Sequence, residues 1–328
     1  MNAKPIRYLV LFVTGACNLR CRYCYAVDVP HEAMSLSVAE GALDAAAVSK
    51  ERFHVQLTGG EPTLAPKRVE QIVSMIRRDR LNAGIGIQTN GTLLSDALID
   101  ILVRNQVEIG LSLDGIETVH NKERGMFKET IRGLTLLMKR QVPCRVTTVV
   151  TADSAPHLDK LLLMLAAFPN VRGVGLDLLT IKGGAVANGV APVSPEALGD
   201  AVSKMRSALS FINRSRTMPL AVRELASSAS TFSGCHASQG ESLAVLPDGR
   251  RYPCSQTAGD PAFELPNPRP LSYEGRGDWK GRKAPLLAGG GLGERSEKHG
   301  DRCPARTHYN RGENLPLCRC FEPERMPQ

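Results

Sequence analysis

Cys17, Cys21 and Cys24 stand in the stretch Cys17-Asn18-Leu19-Arg20-Cys21-Arg22-Tyr23-Cys24, with the spacing C-x3-C-x2-C. They follow directly on the apolar run Tyr8 to Val13, which reads as a strand, so they belong on a loop at its C-terminal end. Three thiolates this close can take three corners of a [4Fe–4S] cluster. No fourth cysteine stands nearby, so one iron keeps an open position, and an open iron invites a chelating ligand. Structural zinc would need a fourth donor from afar to close its tetrahedron.

The elements that position this loop can be read as six strand-then-helix units. The strands are Ile6–Val13, Phe53–Thr58, Ile85–Thr89, Val107–Leu113, Cys144–Thr151 and Val171–Leu178. The helices between and after them cover Ser37–Ser49 with Ser35 or Ser37 as cap, Lys67–Arg78, Ser95–Val103, Phe127–Arg140, His157–Ala167 and Pro195–Asn213. Such alternation argues a parallel sheet covered by helices. Six units are too few for a closed eight-fold barrel and suit a partial (β/α)6 barrel, with a doubly wound open sheet as the alternative. Either architecture puts the active site at the C-terminal strand ends.

The loops at that rim carry polar and glycine-rich sets. The second strand is followed by Gly59-Gly60-Glu61-Pro62. Two glycines let backbone approach a ligand closely, Glu61 offers a carboxylate to an ammonium group, and Pro62 stiffens the exit. Thr89-Asn90-Gly91 follows the third strand, and Ser112-Leu113-Asp114-Gly115 ends the fourth, with His120 and Arg124 beyond it.

Five more cysteines lie late in the chain: Cys235, Cys254, Cys303, Cys318 and Cys320. Leu243–Leu246, the turn Pro247-Asp248-Gly249-Arg250 and Arg251–Cys254 read as a hairpin with a cysteine near each end. Pro253 to Asp301 is crowded with glycine, proline and charge, and Cys254 and Cys303 could tie it. This divides the chain into residues 1–225 and a small C-terminal α+β, cysteine-rich domain over 226–328. Cys144 starts a strand on an apolar background and reads as a buried small residue. His31 and His54 stand alone and read as structural or exposed, and His308 carries little weight as a ligand.

The chain has 328 residues and no apolar run near the ~20 residues a membrane span requires. Met1 to Arg7 shows no signal-peptide architecture, and clustered cysteines in a reducing compartment mean metal more often than disulfides. A cytoplasmic, membrane-free protein is expected. The net charge of +8 fits an acidic peptide or nucleic acid, but aromatic residues are only 5%, which leaves no base-stacking platform.

The cysteine pattern, its flanks Asn18-Leu19 and Tyr25, and the Gly59–Pro62 motif together resemble the radical S-adenosylmethionine (SAM) superfamily. The run from Ser112 to Gly115, with His120 and Arg124, is similar to its peptide-modifying branch. The resemblance implies cluster ligation by Cys17, Cys21 and Cys24. It also implies a SAM site built from Tyr23, Gly59, Gly60, Glu61, Asn90, Ser112, Asp114 and Arg124. Within it the Gly59–Pro62 motif holds the methionine amino group, Ser112 and Asp114 the ribose, and Arg124 the cofactor carboxylate or Asp114 itself.

The late cysteines, with Trp279 before the last of them, resemble the auxiliary-cluster domains called SPASM and twitch. They imply one auxiliary [4Fe–4S] cluster, with Cys235 and Cys254 the surest ligands and the others from Cys303, Cys318 and Cys320. Zinc on the same residues is the alternative. The pattern departs from a full SPASM domain, which carries a C-x2-C-x5-C-x3-C run. Ser255 follows Cys254, where an acidic residue would suit a general base, and no catalytic acid or base can be assigned. The implied activity is hydrogen abstraction from a peptide or protein side chain, leading to a crosslink, thioether or other oxidative change. It would be fed by a reductant such as flavodoxin or ferredoxin. A small-molecule enzyme of the twitch type and a zinc-bearing nucleic-acid protein are the alternatives.

Overall fold

The computed structural model describes residues 4–26, 28–225 and 235–266. Cys303, Cys318, Cys320, Trp279 and His308 lie outside them. The described residues build one nine-stranded sheet in the order β7-β6-β5-β4-β3-β2-β1-β8-β9. The first six strands are β1 (Tyr8–Thr14), β2 (Phe53–Gly59), β3 (Ala83–Thr89), β4 (Val107–Ser112), β5 (Cys144–Val150) and β6 (Val171–Leu178). All six run parallel. This is the open, partial barrel that the alternation predicts.

The helices also follow the sequence closely. They are α1 (Leu36–Ala47), α2 (Pro66–Arg78), α3 (Asp96–Arg104), α4 (Glu117–Glu123), α5 (Phe127–Lys139), α6 (Leu158–Leu165), α7 (Gly184–Ala187), α8 (Pro195–Ile212) and α9 (His236–Gln239). Ser35, Ser95 and Ser194 cap α1, α3 and α8 by accepting from the amides of Val38, Leu98 and Ala197. A side-chain oxygen there satisfies an amide that the first turn leaves open. Three short helices had no apolar stripe to announce them: α4, α7 and α9.

The sheet grows past the six units at both edges. β7 (Ala221–Val222) adds to β6. The late hairpin is present as β8 (Ser242–Val245) and β9 (Arg251–Tyr252), antiparallel to each other, and β8 lies parallel to β1. The ladder thus runs across position 225. Val10 and Phe12 of β1 pack with Ala244, Leu246, Tyr252 and Phe263 in a cluster separate from the main core. Full burial of side chains such as Phe12 and Tyr252 contributes roughly 1.5–3 kcal/mol each, enough to hold a two-residue strand in place.

Strand residues alternate between two environments. Leu9, Leu11, Val55, Leu57, Ile85, Ile87, Ile109 and Val146 enter the main core under the helices. Their neighbours Gln56, Gln88, Ser112 and Thr147 line a cavity on the other face. Cys144 is buried in the main core, as expected. His54 is buried as well, with its ring stacked 5.4 Å from Tyr8. Burial pushes His54 down to about 4, and does the same to His120 of α4.

These histidines predict acid sensitivity. Each folded value lies below the ordinary 6.5, so the unfolded chain binds more protons between about pH 6.5 and 4. Stability is complete above that window and falls as pH drops through it, by on the order of 3 kcal/mol per histidine. Urea unfolding from pH 7 to 4 should show this slope, and His54→Gln should remove about half of it. An equal slope in the variant would refute the assignment.

Candidate functional site

The C-terminal ends of the parallel strands surround a cavity of about 320 Å3. Cys17, Cys21 and Cys24 line it together, on the loop that leaves β1. So do Tyr23, Gly59, Gly60, Glu61, Asn90, Ser112 and Arg124, and Cys235 and Cys254 open onto the same space. One expected member, Asp114, is absent from the wall.

Backbone contacts position the cysteine loop. Gly60 N donates to Thr14 O and Glu61 N to Ala16 O, each at 2.8 Å. A Cβ on Gly60 would lie 2.4 Å from the carbonyl oxygens of Gly15 and Ala16, and one on Gly59 would lie 2.1 Å from that of Thr14. The close approach that needs these glycines is therefore to the cysteine loop. Side chains add a second seam, because Asn90 Nδ2 donates to Asn18 Oδ1 at 2.9 Å and Asn18 Nδ2 to Thr92 Oγ1 at 2.8 Å.

Glu61 is nearly inaccessible, at 1% exposure. Its Oε1 accepts from Thr63 N, Thr63 Oγ1 and Thr89 Oγ1 at 3.0, 2.6 and 2.7 Å, and its Oε2 from Asn90 N at 2.7 Å. Burial pushes its carboxyl up while these four donors pull it back. The carboxylate locks the loops after β2 and β3 together, and the turn's backbone faces the cavity. Glu61 nonetheless lines the cavity, so the turn presents both backbone and carboxylate edge to it.

Asp114 is enclosed more completely and does not line the cavity. It is fully buried. Its Oδ2 accepts from Arg124 Nε at 2.7 Å and from the Tyr23 hydroxyl, and its Oδ1 accepts from Val149 N at 2.9 Å. A carboxylate so enclosed has no face for a ribose. Ser112 does reach the cavity, with its hydroxyl accepting from Gln88 Nε2 at 2.8 Å. Arg124 lies over the Tyr23 ring, 5.2 Å from its centroid, and its Nη1 is 4.0 Å from Cys21 Sγ.

The donor set fits an iron–sulfur cluster. Cys17, Cys21 and Cys24 are free thiols facing one space. Burial pushes Cys21 up to about 11, with Arg124 opposing, and also raises Cys17. A thiolate there at neutral pH needs cationic compensation, which iron supplies.

Sequence reading missed Asp177, the penultimate residue of β6, which lines the cavity and accepts from Gln256 Nε2 at 3.3 Å. Its place at a strand's C-terminal end was the available signal. Arg223, just beyond β7, also lines the cavity and was missed because a two-residue strand leaves no periodicity.

Residues 11–162 match the family model of the radical SAM superfamily. An uncharacterized protein of Methanocaldococcus jannaschii is 32% identical over 184 residues, 54% of this chain and 64% of that protein. A cysteine-type anaerobic sulfatase-maturating enzyme of Clostridium novyi is 28% identical over 178 residues, 48% of this chain and 47% of that protein. The chain thus spans about half to two thirds of these curated relatives. Among solved structures, anSMEcpe with bound AdoMet and the Cp18Cys peptide has a TM-score of 0.65 at 23% identity, over 79% of this chain and 76% of that one. Residues 11–162 thus carry a radical SAM domain, and the described residues share the fold of anSMEcpe.

The glycine seam predicts that Gly60→Ala forces the two loops apart. The expected loss is about 1–3 kcal/mol of stability, as for other overpacked sites, together with impaired iron incorporation. Denaturant titration and iron analysis after anaerobic reconstitution measure both. Wild-type values for stability and iron would overturn the seam's importance.

Proposed function

We propose that this chain takes a hydrogen atom from a side chain of a peptide or protein substrate. The observation that carries this reading is the single cavity shared by the three clustered thiols, the glycine turn, Arg124 and the polar inner strand face. The family implies a [4Fe–4S] cluster and SAM. When bound, they supply one-electron cleavage of the cofactor to a 5′-deoxyadenosyl radical.

The chain's residues bind and orient. Cys17, Cys21 and Cys24 are assigned as the cluster ligands. Arg124 presents a guanidinium to the cofactor carboxylate, a pairing that suits its planar fork. The backbone of Gly59 and Gly60 serves the cofactor's ammonium, and Ser112, held by Gln88, serves the ribose. Val149, Leu176, Leu178 and Leu179 form an apolar part of the wall that excludes water. Of the two carboxylates on the wall, Glu61 is committed to four protein donors. Asp177 lies on the wall at the C-terminal end of β6, a place from which it can meet a hydroxyl, thiol or amine of the substrate.

Cys235 and Cys254 are assigned to one auxiliary [4Fe–4S] cluster, completed from Cys303, Cys318 and Cys320. Their opening onto the same cavity supports a role beside the substrate. The peptide substrate class is supported by the sulfatase-maturating relative and by the peptide named with anSMEcpe. The type of side-chain change is left to the substrate, because Ser255 departs from the acidic residue that would suit a base after Cys254. Electrons would come from a flavodoxin- or ferredoxin-type donor.

Anaerobic reconstitution with SAM and a strong reductant should yield 5′-deoxyadenosine, and Cys21→Ala should abolish it. Iron should approach roughly eight per chain and fall to about four in Cys254→Ala. Stoichiometric zinc without sulfide would sink the radical reading, and unchanged iron in Cys254→Ala would sink the auxiliary cluster alone.

A further inference from the structure

We propose that Asp114 is a positioning residue: it touches no ligand and acts on the cofactor site through Arg124. The inference rests on the SAM reading above. Asp114 joins three separate parts of the rim. Its carboxylate takes the Tyr23 hydroxyl from the cysteine loop, Arg124 Nε from the end of α4, and Val149 N from β5. Its own amide donates to His120 Nδ1 at 3.3 Å. Backbone and side chain are both fixed.

Arg124 depends on that fixation. Its side chain is 11% exposed, Asp114 is its ion-pair partner, and its guanidinium carbon lies over the Tyr23 ring. With Nε spent on Asp114 and the guanidinium held over the ring, Nη1 lies toward Cys21 Sγ and the cavity. A long arginine side chain has many rotamers, and the carboxylate selects the one that faces the ligand. Removing it leaves a buried guanidinium without its counter-charge, free to turn toward other acceptors.

The test uses the full chain, reconstituted anaerobically, as wild type, Asp114→Asn, Arg124→Gln and the double variant. SAM and 5′-deoxyadenosine affinities are measured by equilibrium dialysis, alongside iron content and thermal unfolding. Iron should stay at the wild-type level throughout. SAM should bind about 10–100-fold more weakly in each single variant, the loss expected when a supporting partner is removed. The double variant should bind no more weakly than Arg124→Gln, since both act on one contact. Affinity for 5′-deoxyadenosine, which lacks the carboxylate, should be unchanged in Asp114→Asn. Multiplying losses in the double variant, or a loss of 5′-deoxyadenosine binding in Asp114→Asn alone, would overturn the proposal in favour of direct ribose contact. If Asp114→Asn fails to fold, Arg124→Gln against the double variant decides, because neither carries the unpaired guanidinium. Absence of SAM binding by the wild type would overturn the functional reading itself, before any variant is compared.

Discussion

The cysteine loop is held by amide-to-carbonyl bonds that form only because two neighbouring residues lack side chains. Gly59 and Gly60 bring the turn after β2 to within hydrogen-bonding distance of Thr14 and Ala16. A loop of thiols carries no packing of its own strong enough to fix three sulfur positions. Backbone bonds to a neighbouring parallel strand do so, because the strand register already sets the two loops side by side. Every later feature of the site inherits its position from this seam.

Buried carboxylates then extend it. Glu61 spans the loops after β2 and β3, and Asp114 spans the cysteine loop, β5 and the end of α4. Each costs desolvation, and each is offset by three or more donors, the condition for a polar group to be tolerated in a core. A dry, fully bonded carboxylate has one geometry. That geometry holds the loops it joins in one arrangement, which is what a preorganised site requires of its supporting groups.

The six strands and their long helices were legible in the sequence because both faces obey simple periods. Leu9, Leu11, Val55 and Leu57 alternate with inward residues, and the long helices carry capping serines and apolar stripes. The gathering of Cys17, Cys21, Cys24, Gly59, Gly60, Asn90, Ser112 and Arg124 on one cavity followed from strand parity and rim position. What could not be read was the direction of a bonded side chain. Glu61 and Asp114 have the right type and place for ligand contact, and only the structure shows that Glu61 is bonded to four protein donors and that Asp114 is turned away from the cavity. α4 and β7 were illegible for a different reason: ETVHNKE has no apolar face and AV has no length, so tertiary contacts alone define them.

The open ladder poses a final problem, since β7 and β9 are opposite edges and a cavity between them would drain to solvent. Among the described residues the gap is spanned by side-chain bonds. After β9 the segment through residues 254–260 crosses toward β6, where Gln256 Nε2 donates to Asp177 Oδ1 and Lys182 Nζ donates to Ala258 O at 2.6 Å. Burial pushes the Lys182 ammonium down, as befits a cation committed to carbonyls inside this junction. A crossing made of side chain to backbone bonds is weaker than a β-ladder and can part without disturbing the sheet. The same segment carries Cys254 and bonds to Asp177. The bridge across the gap, the Cys254 thiol and a hydrogen bond to Asp177 are thus properties of one short stretch of chain.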